Sequence, residues 1–376
     1  MKLYGSDYTR SELLRRVGHL RQVAGVEPIT LSQGHSRDVR MLDVRTGSGL
    51  RFTPMIDRGF DVGYCEYRGA SLAWISPNGF PDPRYYELKD DNSWLRVGLG
   101  GLFNTGGLVV FGNPQTIPTA QYEFAVRATD RYGIHDRIAV TPAEHFAYGE
   151  EWQGDTCVLW AEARVRQQLA YGENLSLTRR YEAALGATSF RIRDVVANDG
   201  FFPSPHQMLY HFNIGFPVLD EGAELLAAVA GEVPAMSFSD AGEPDPDRYR
   251  RFSAPQAAYG HEGYVIPMQA DPTGKVGVAV VNRHVADPSD GLGVYLRYDQ
   301  RQLPVYVEWR MMAEGLYAVG IEPCTNPFGE MAALRDEGWP VMLEPGETRT
   351  YDLEFGVLDG SAAIETFEAS LPASSV

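Results

Sequence analysis

The sequence is poor in cysteine, in positive charge and in long apolar runs, and each shortage removes a class of function. Only Cys65, Cys157 and Cys324 occur in 376 residues. This odd, scattered set has no CxxC spacing. It builds neither a disulfide framework nor a thiolate metal site, and reads as buried or idle thiols in a reducing cytoplasm. Lys and Arg total 33 against 50 Asp and Glu, a net charge of −17, with an isoelectric point near 4.9. That field repels phosphates and argues against nucleic acid or an anionic membrane as the main partner. No apolar run approaches the roughly 18 residues of a membrane helix. The opening residues 1–7 lead into Arg10, Glu12, Arg15 and Arg16 without an apolar stretch, so no signal peptide is expected and the cytoplasm is the expected location. GxGxxG after a strand, GxxxxGK[ST], HExxH and GxSxG are all absent. No nucleotide, metal or other cofactor is therefore expected.

What is present reads as a globular chain, 44% hydrophobic and 22% charged. Thr9-Arg10-Ser11-Glu12 has capping-box spacing, and Leu13, Leu14, Val17, Leu20 and Val23 recur at intervals of three and four. The spacing predicts a peripheral helix over 9–24. Beyond it, period-two segments recur between Gly, Pro, Asn and Asp punctuation: 38–45, 52–58, 155–166, 174–184, 188–197, 275–283, 292–298, 304–311, 316–322 and 348–357. So many strands without intervening helices predict an all-β fold, a large antiparallel sandwich or barrel with a short N-terminal helix. The expected organisation is a helical decoration over 1–30 and one β domain over 31–376. The stretches 76–93 and 231–257 read as loops, the second holding Glu243-Pro244-Asp245-Pro246-Asp247. Gly-rich 98–107 does not lead into a helix, so its glycines point to close backbone packing, or to a ligand approaching main chain, before a phosphate cradle.

Several constellations could carry chemistry. If 207–213 is a strand, His211 shares a face with Leu209 and Asn213, while His206 takes the other face with Met208, Tyr210 and Phe212. In 133–138, read as a strand, His135 and Arg137 share a face suited to hydroxyls or a carboxylate. In 316–323, Glu322 shares its face only with Ala318 and Gly320. That leaves room for a ligand, and partial desolvation there would raise its pKa toward that of a base working near neutrality. Arg58 and Asp61 either bracket a polar site or pair with each other. Trp309 lies on the Val305 and Val307 face, as core packing or as a platform for a sugar ring.

Taken in order, Arg58-Gly59-Phe60-Asp61, the run 101–108, His135-Asp136-Arg137-Ile138, 209–215, Trp309 with Met311, Gly320-Ile321-Glu322-Pro323 and 343–347 resemble the galactose mutarotase-like superfamily. The likeness is to an aldose 1-epimerase-related branch of poorly characterised function, and spans roughly residues 50–355. The resemblance implies a β-sandwich with a concave sugar-binding face and no cofactor. It implies Glu322 as general base and His211 as general acid, with His206 as the alternative acid. His135, Arg137, Asn213, Arg58, Asp61 and Trp309 would hold the sugar. Asp136 stands where the branch usually has glycine.

The expected function is therefore a cofactor-free carbohydrate epimerase, an isomerase that opens and closes a sugar ring by acid–base catalysis. One alternative is an isomerase or lyase removing a proton α to a carbonyl, with Arg137 and Arg58 clamping a carboxylate or ketone. Another is a non-catalytic sugar-binding sandwich. The expected partner is a small sugar, and a homodimer stays open.

Overall fold

The computed structural model describes residues 1–236, 248–287 and 290–374. Two large antiparallel sheets face each other. The first runs, from edge to edge, Glu262–Val265, Val305–Ala313, Leu316–Cys324, Gln207–Ile214, Phe103–Leu108, Val62–Tyr67, Leu50–Pro54, Arg40–Arg45 and Gly25–Thr30, with a short Ala70–Ser71 strand beside Val62–Tyr67. The second runs Ala143–Gln153, Thr156–Gln168, Asn174–Ala184, Ser189–Asn198, Thr348–Asp359, Leu292–Asp299, Lys275–Asn282 and Glu224–Ala227. The all-β sandwich expected from the sequence is the fold observed.

The burial of each strand follows its residue pattern. Along Thr156–Gln168 buried and half-buried residues alternate almost without exception, the signature of one face on the core and one toward solvent. Gln207–Ile214 is buried at every position, as befits a central strand covered on both faces. Between the sheets, Phe212 stacks on Phe355 with ring centroids 5.7 Å apart, and Phe52 on Phe190 at 4.1 Å. Truncating one such ring to alanine would cost about 3–5 kcal/mol. An ion cluster is buried in the same layer. Arg179 bonds Asp194 through Nε at 2.9 Å and Nη2 at 2.7 Å, and also bonds Asp61, while the Tyr210 hydroxyl donates to Asp194 at 2.6 Å.

The helices differ from expectation in extent. The capping box at Thr9 and Glu12 forms, but the helix covers only Arg10–Leu14. It gives way to a 3₁₀ turn at Leu20–Gln22, which His19 caps through Nδ1. Gly18 and His19 interrupt the run, and a glycine inside a short helix costs about 1 kcal/mol. Leu13, Val17 and Leu20 still bury, whereas Leu14 stays 43% exposed. Residues 25–30 of the N-terminal segment form the edge strand of the first sheet. A C-terminal helix, Ser361–Ser370, seats Ile364 and Phe367 on the outer face of the second sheet against Leu226, Ala279 and Val281.

The predicted strands match closely except at 52–58, where the strand is Leu50–Pro54 and residues 56–60 turn, and at 133–138, which is a turn. His135 and Asp136 adopt φ of 53° and 57° there. Of the two predicted loops, 76–93 carries only a 3₁₀ turn at Pro83–Tyr85 and runs into a helix, Ser93–Val97. The Glu243–Asp247 run of the other lies outside the described residues.

The close-packing reading of the glycine run holds. A β-carbon on Gly107 would meet the Gln207 carbonyl oxygen at 2.4 Å, and one on Gly106 would meet His135 Nδ1 at 3.1 Å. No helix among the described residues is long and apolar enough to cross a membrane.

Candidate active site

Strand register assembles the site. Gln207–Ile214 pairs with Leu316–Cys324 so that Phe212 faces Ile321 and Asn213 faces Gly320. One step further along, His211 lies beside Glu322. On the other side of Leu316–Cys324, Glu322 faces Val307 and Gly320 faces Trp309. Cross-strand neighbours project to the same face, so His211, Glu322, Val307 and Trp309 converge on the side of the sheet away from the sandwich core. They line a pocket of about 230 Å³ together with His135, His261, Trp94, Leu95 and Phe328.

His211 Nε2 lies 3.1 Å from Glu322 Oε1. Both residues are buried, Glu322 being 1% exposed. Burial pushes the Glu322 carboxyl well above its ordinary range, and nearby Glu308 adds to the shift. Burial pulls His211 down to about 4. Both shifts act in the same sense: burial disfavours charge on either partner and favours a proton on Glu322 beside an uncharged imidazole over a carboxylate–imidazolium pair. Gly320 makes this contact possible. A β-carbon there would stand 2.3 Å from Glu322 Oε1 and 3.2 Å from His211 Cε1. The small neighbours that the sequence places on the Glu322 face thus leave room first for the carboxylate itself.

Aromatic rings wall the pair. The Trp94 ring lies 4.5 Å from that of His135 and 6.0 Å from that of His211, while Trp309 lies 5.6 Å from His211 on another side. His135 and His211 meet edge to face at 5.7 Å. The His135 turn is pinned by its N–H to the Gly112 carbonyl and by its carbonyl to the Gly107 N–H. Burial, then the neighbouring His211, holds the His135 imidazole well below its ordinary pKa and so uncharged.

Of the residues singled out in the sequence, the pocket gathers Glu322, His211, His135 and Trp309. It does not gather the others. Arg137 and His135 do not share a face, because the segment is a turn and not a strand. The Arg137 guanidinium instead pairs with buried Glu173. Asp136 is buried on Gln167 Nε2 at 2.6 Å and on the Val109 N–H at 3.2 Å, and its left-handed φ is the conformation glycine favours. Asp61 belongs to the Arg179 cluster, bound also to the Thr105 hydroxyl at 2.6 Å. Arg58 donates to the carbonyls of Val97 and Gly98, at the C-terminal end of the helix that carries Trp94. Asn213 shares the His211 face as expected, but its amide is committed to the Gly101 carbonyl at 3.1 Å and to Asn104 at 3.2 Å beneath the pocket. His206 lies between the sheets, bonded to the Leu108 carbonyl at 2.9 Å and the Tyr351 hydroxyl at 2.8 Å.

Trp94, Phe328 and His261 are among the lining residues that sequence reasoning missed. Trp94 comes from the five-residue helix Ser93–Val97 and the other two from loops, segments too short or irregular for periodicity to announce a face.

A family model described as a domain of unknown function, DUF4432, matches residues 36–357. A search of the curated proteins finds no match. Among solved structures, a "putative aldose 1-epimerase" from Klebsiella pneumoniae superposes with a TM-score of 0.81 at 23% identity, covering 93% of this chain and 89% of that one. A galactose mutarotase-like protein from Clostridium acetobutylicum gives 0.56 at 14%, covering 90% and 99%. The galactose 1-epimerase of Lactobacillus acidophilus gives 0.54 at 10%, covering 90% and 99%. At these identities the likeness is one of fold, and it agrees with the mutarotase-like sandwich expected from the sequence.

Proposed function

The chain belongs to the family described as DUF4432, whose description assigns no chemistry, and from the pocket we propose that it is a cofactor-free sugar epimerase of the aldose 1-epimerase type. The observation that carries this reading is the contact between His211 Nε2 and Glu322 Oε1 at 3.1 Å, inside a pocket walled by tryptophan.

Anomer exchange needs one group to take the proton of the anomeric hydroxyl and another to give a proton to the ring oxygen. The ring then opens, the C1–C2 bond rotates, and closure reverses both transfers. A pair holding one transferable proton supplies both roles. The resemblance makes Glu322 the base and His211 the acid. Burial favours the opposite starting placement, with the proton on Glu322. The proton inventory is the same in both cases, so the pair can begin from either distribution.

Trp309 and Trp94 offer apolar faces to the C–H side of a sugar ring, and His135 offers a hydrogen bond to a hydroxyl. No Lys or Arg is among the described residues lining the pocket, which favours an uncharged reducing sugar. The same placement weakens the alternative of proton removal at carbon, because both arginines of the expected carboxylate clamp are engaged elsewhere.

The test is NMR of freshly dissolved aldoses in D₂O with and without the protein. Accelerated anomer exchange with every C–H signal retained is the expected result. Loss of a C–H signal would replace this reading with chemistry at carbon, and no acceleration of any sugar would leave the pocket a binding site.

A further inference from the structure

Phe328 and Asn113 each line two cavities. One is the active-site pocket. The other is an adjoining cleft of about 360 Å³, lined also by Met236, Val265, Pro327, Gly329 and Glu330. The pocket alone, at about 230 Å³, lies below the range of about 300–1,000 Å³ usual for ligand sites; pocket and cleft together fall within it.

The cleft has the makings of a carbohydrate surface. Phe328 presents an aromatic ring, held edge-on against Phe111 with centroids 5.2 Å apart. Asn113, which lines both cavities, and Glu330, which lines the cleft, are exposed, and an amide and a carboxylate are groups that bond sugar hydroxyls. The floor is preformed. Gln115 spends both ends of its amide on the loop opposite, donating to the Gly329 carbonyl at 3.0 Å and accepting from the Met331 N–H at 3.0 Å.

We infer that this cleft is a second sugar subsite, so that the preferred substrate is a reducing disaccharide. Its reducing ring would sit at Glu322 and His211, and its second ring would cross Phe328 toward Glu330. The inference rests on the epimerase reading and extends it, because a monosaccharide would leave the cleft unused. Binding energy gained there, away from the reacting carbon, can position the reducing ring.

The experiment compares protein-catalysed anomer exchange of glucose and galactose with that of maltose, cellobiose and lactose. At least one disaccharide should show a kcat/KM tenfold or more above that of glucose. Glu330→Trp, which fills the cleft, should bring the disaccharide kcat/KM down to that of glucose measured with the same variant, and an unchanged melting temperature shows that the variant folds. If every disaccharide is turned over no faster than the monosaccharides, or if the excess survives Glu330→Trp, the subsite is wrong and the epimerase reading stands. If no sugar is accelerated, both fall together.

Discussion

A β-carbon at Gly320 would stand 2.3 Å from Oε1 of Glu322, so this glycine reserves the space in which the carboxylate meets His211. Gly320→Ala should displace the carboxylate, the movable end of a side chain, and leave the strand in place. A shift of about 1 Å in a reacting group can cost about 100-fold in rate. We expect a loss of that order in turnover with little change in the melting temperature. Thermal denaturation read alongside turnover checks both.

Arg58 acts at one remove from the pocket. It donates to Gly98 at 2.8 Å and also to Val97, tying down the end of the five-residue helix that presents Trp94. Arg58→Met should free that wall and raise KM several-fold while kcat changes little, because Glu322 and His211 are untouched. A fall in kcat with KM unchanged would place Arg58 in the chemistry instead.

Asp61 is expected to matter for stability and not for the sugar. It sits with Arg179 and Asp194 in a cluster with no exposed side chain. Removing one partner of a buried ion pair typically costs about 3–5 kcal/mol. Asp61→Ala should lower stability by that order in denaturant titrations. Any protein that remains folded should keep an unchanged KM.

Two buried groups set expectations for pH. Activity requires a single proton on the pair, and a second proton taken up by His211 leaves it without a base, so the rate of anomer exchange should fall as pH drops through about 4. Stability should move in the opposite sense because of Glu308. Among the described residues neither of its carboxylate oxygens has a hydrogen-bond partner, Arg310 pairs with it only at 3.8 Å, and burial raises it to about 8 from an ordinary value of 4.5. A raised carboxyl stabilises the fold most fully below its unfolded pKa, and that contribution is lost as pH climbs from about 4.5 to about 8. Glu308→Gln should flatten this part of the stability curve, and an unchanged slope would contradict it.

The fold was legible because alternation is a local property. Segments such as 174–184 show their strand character in the sequence, and the structure returns the same limits. Glu322 and His211 were legible for a related reason: each lies on a strand whose face can be counted, beside Gly320 in one case and Asn213 in the other. Residues 133–138 misled because Ile134 and Ile138 imitate alternation across a turn. Only the left-handed backbone at His135 and Asp136 reveals it, and glycine, the usual signal for that conformation, is missing at both positions. Arg58, Asp61 and Arg137 have residue types suited to binding a ligand. Their partners, at positions 97–98, 179 and 173, lie 36 to 118 residues away in sequence, and no spacing rule predicts such pairings. Trp94 and Phe328 were hidden by the same lack of local pattern.

The most direct test of the central claim is the exchange rate between the α and β H1 signals of a reducing sugar, measured by NMR saturation transfer at neutral pH with wild-type protein and with Glu322→Gln. The account predicts clear acceleration by the wild type and its loss in the variant, with sugar binding retained. A Glu322→Gln protein that exchanges anomers at the wild-type rate would contradict it.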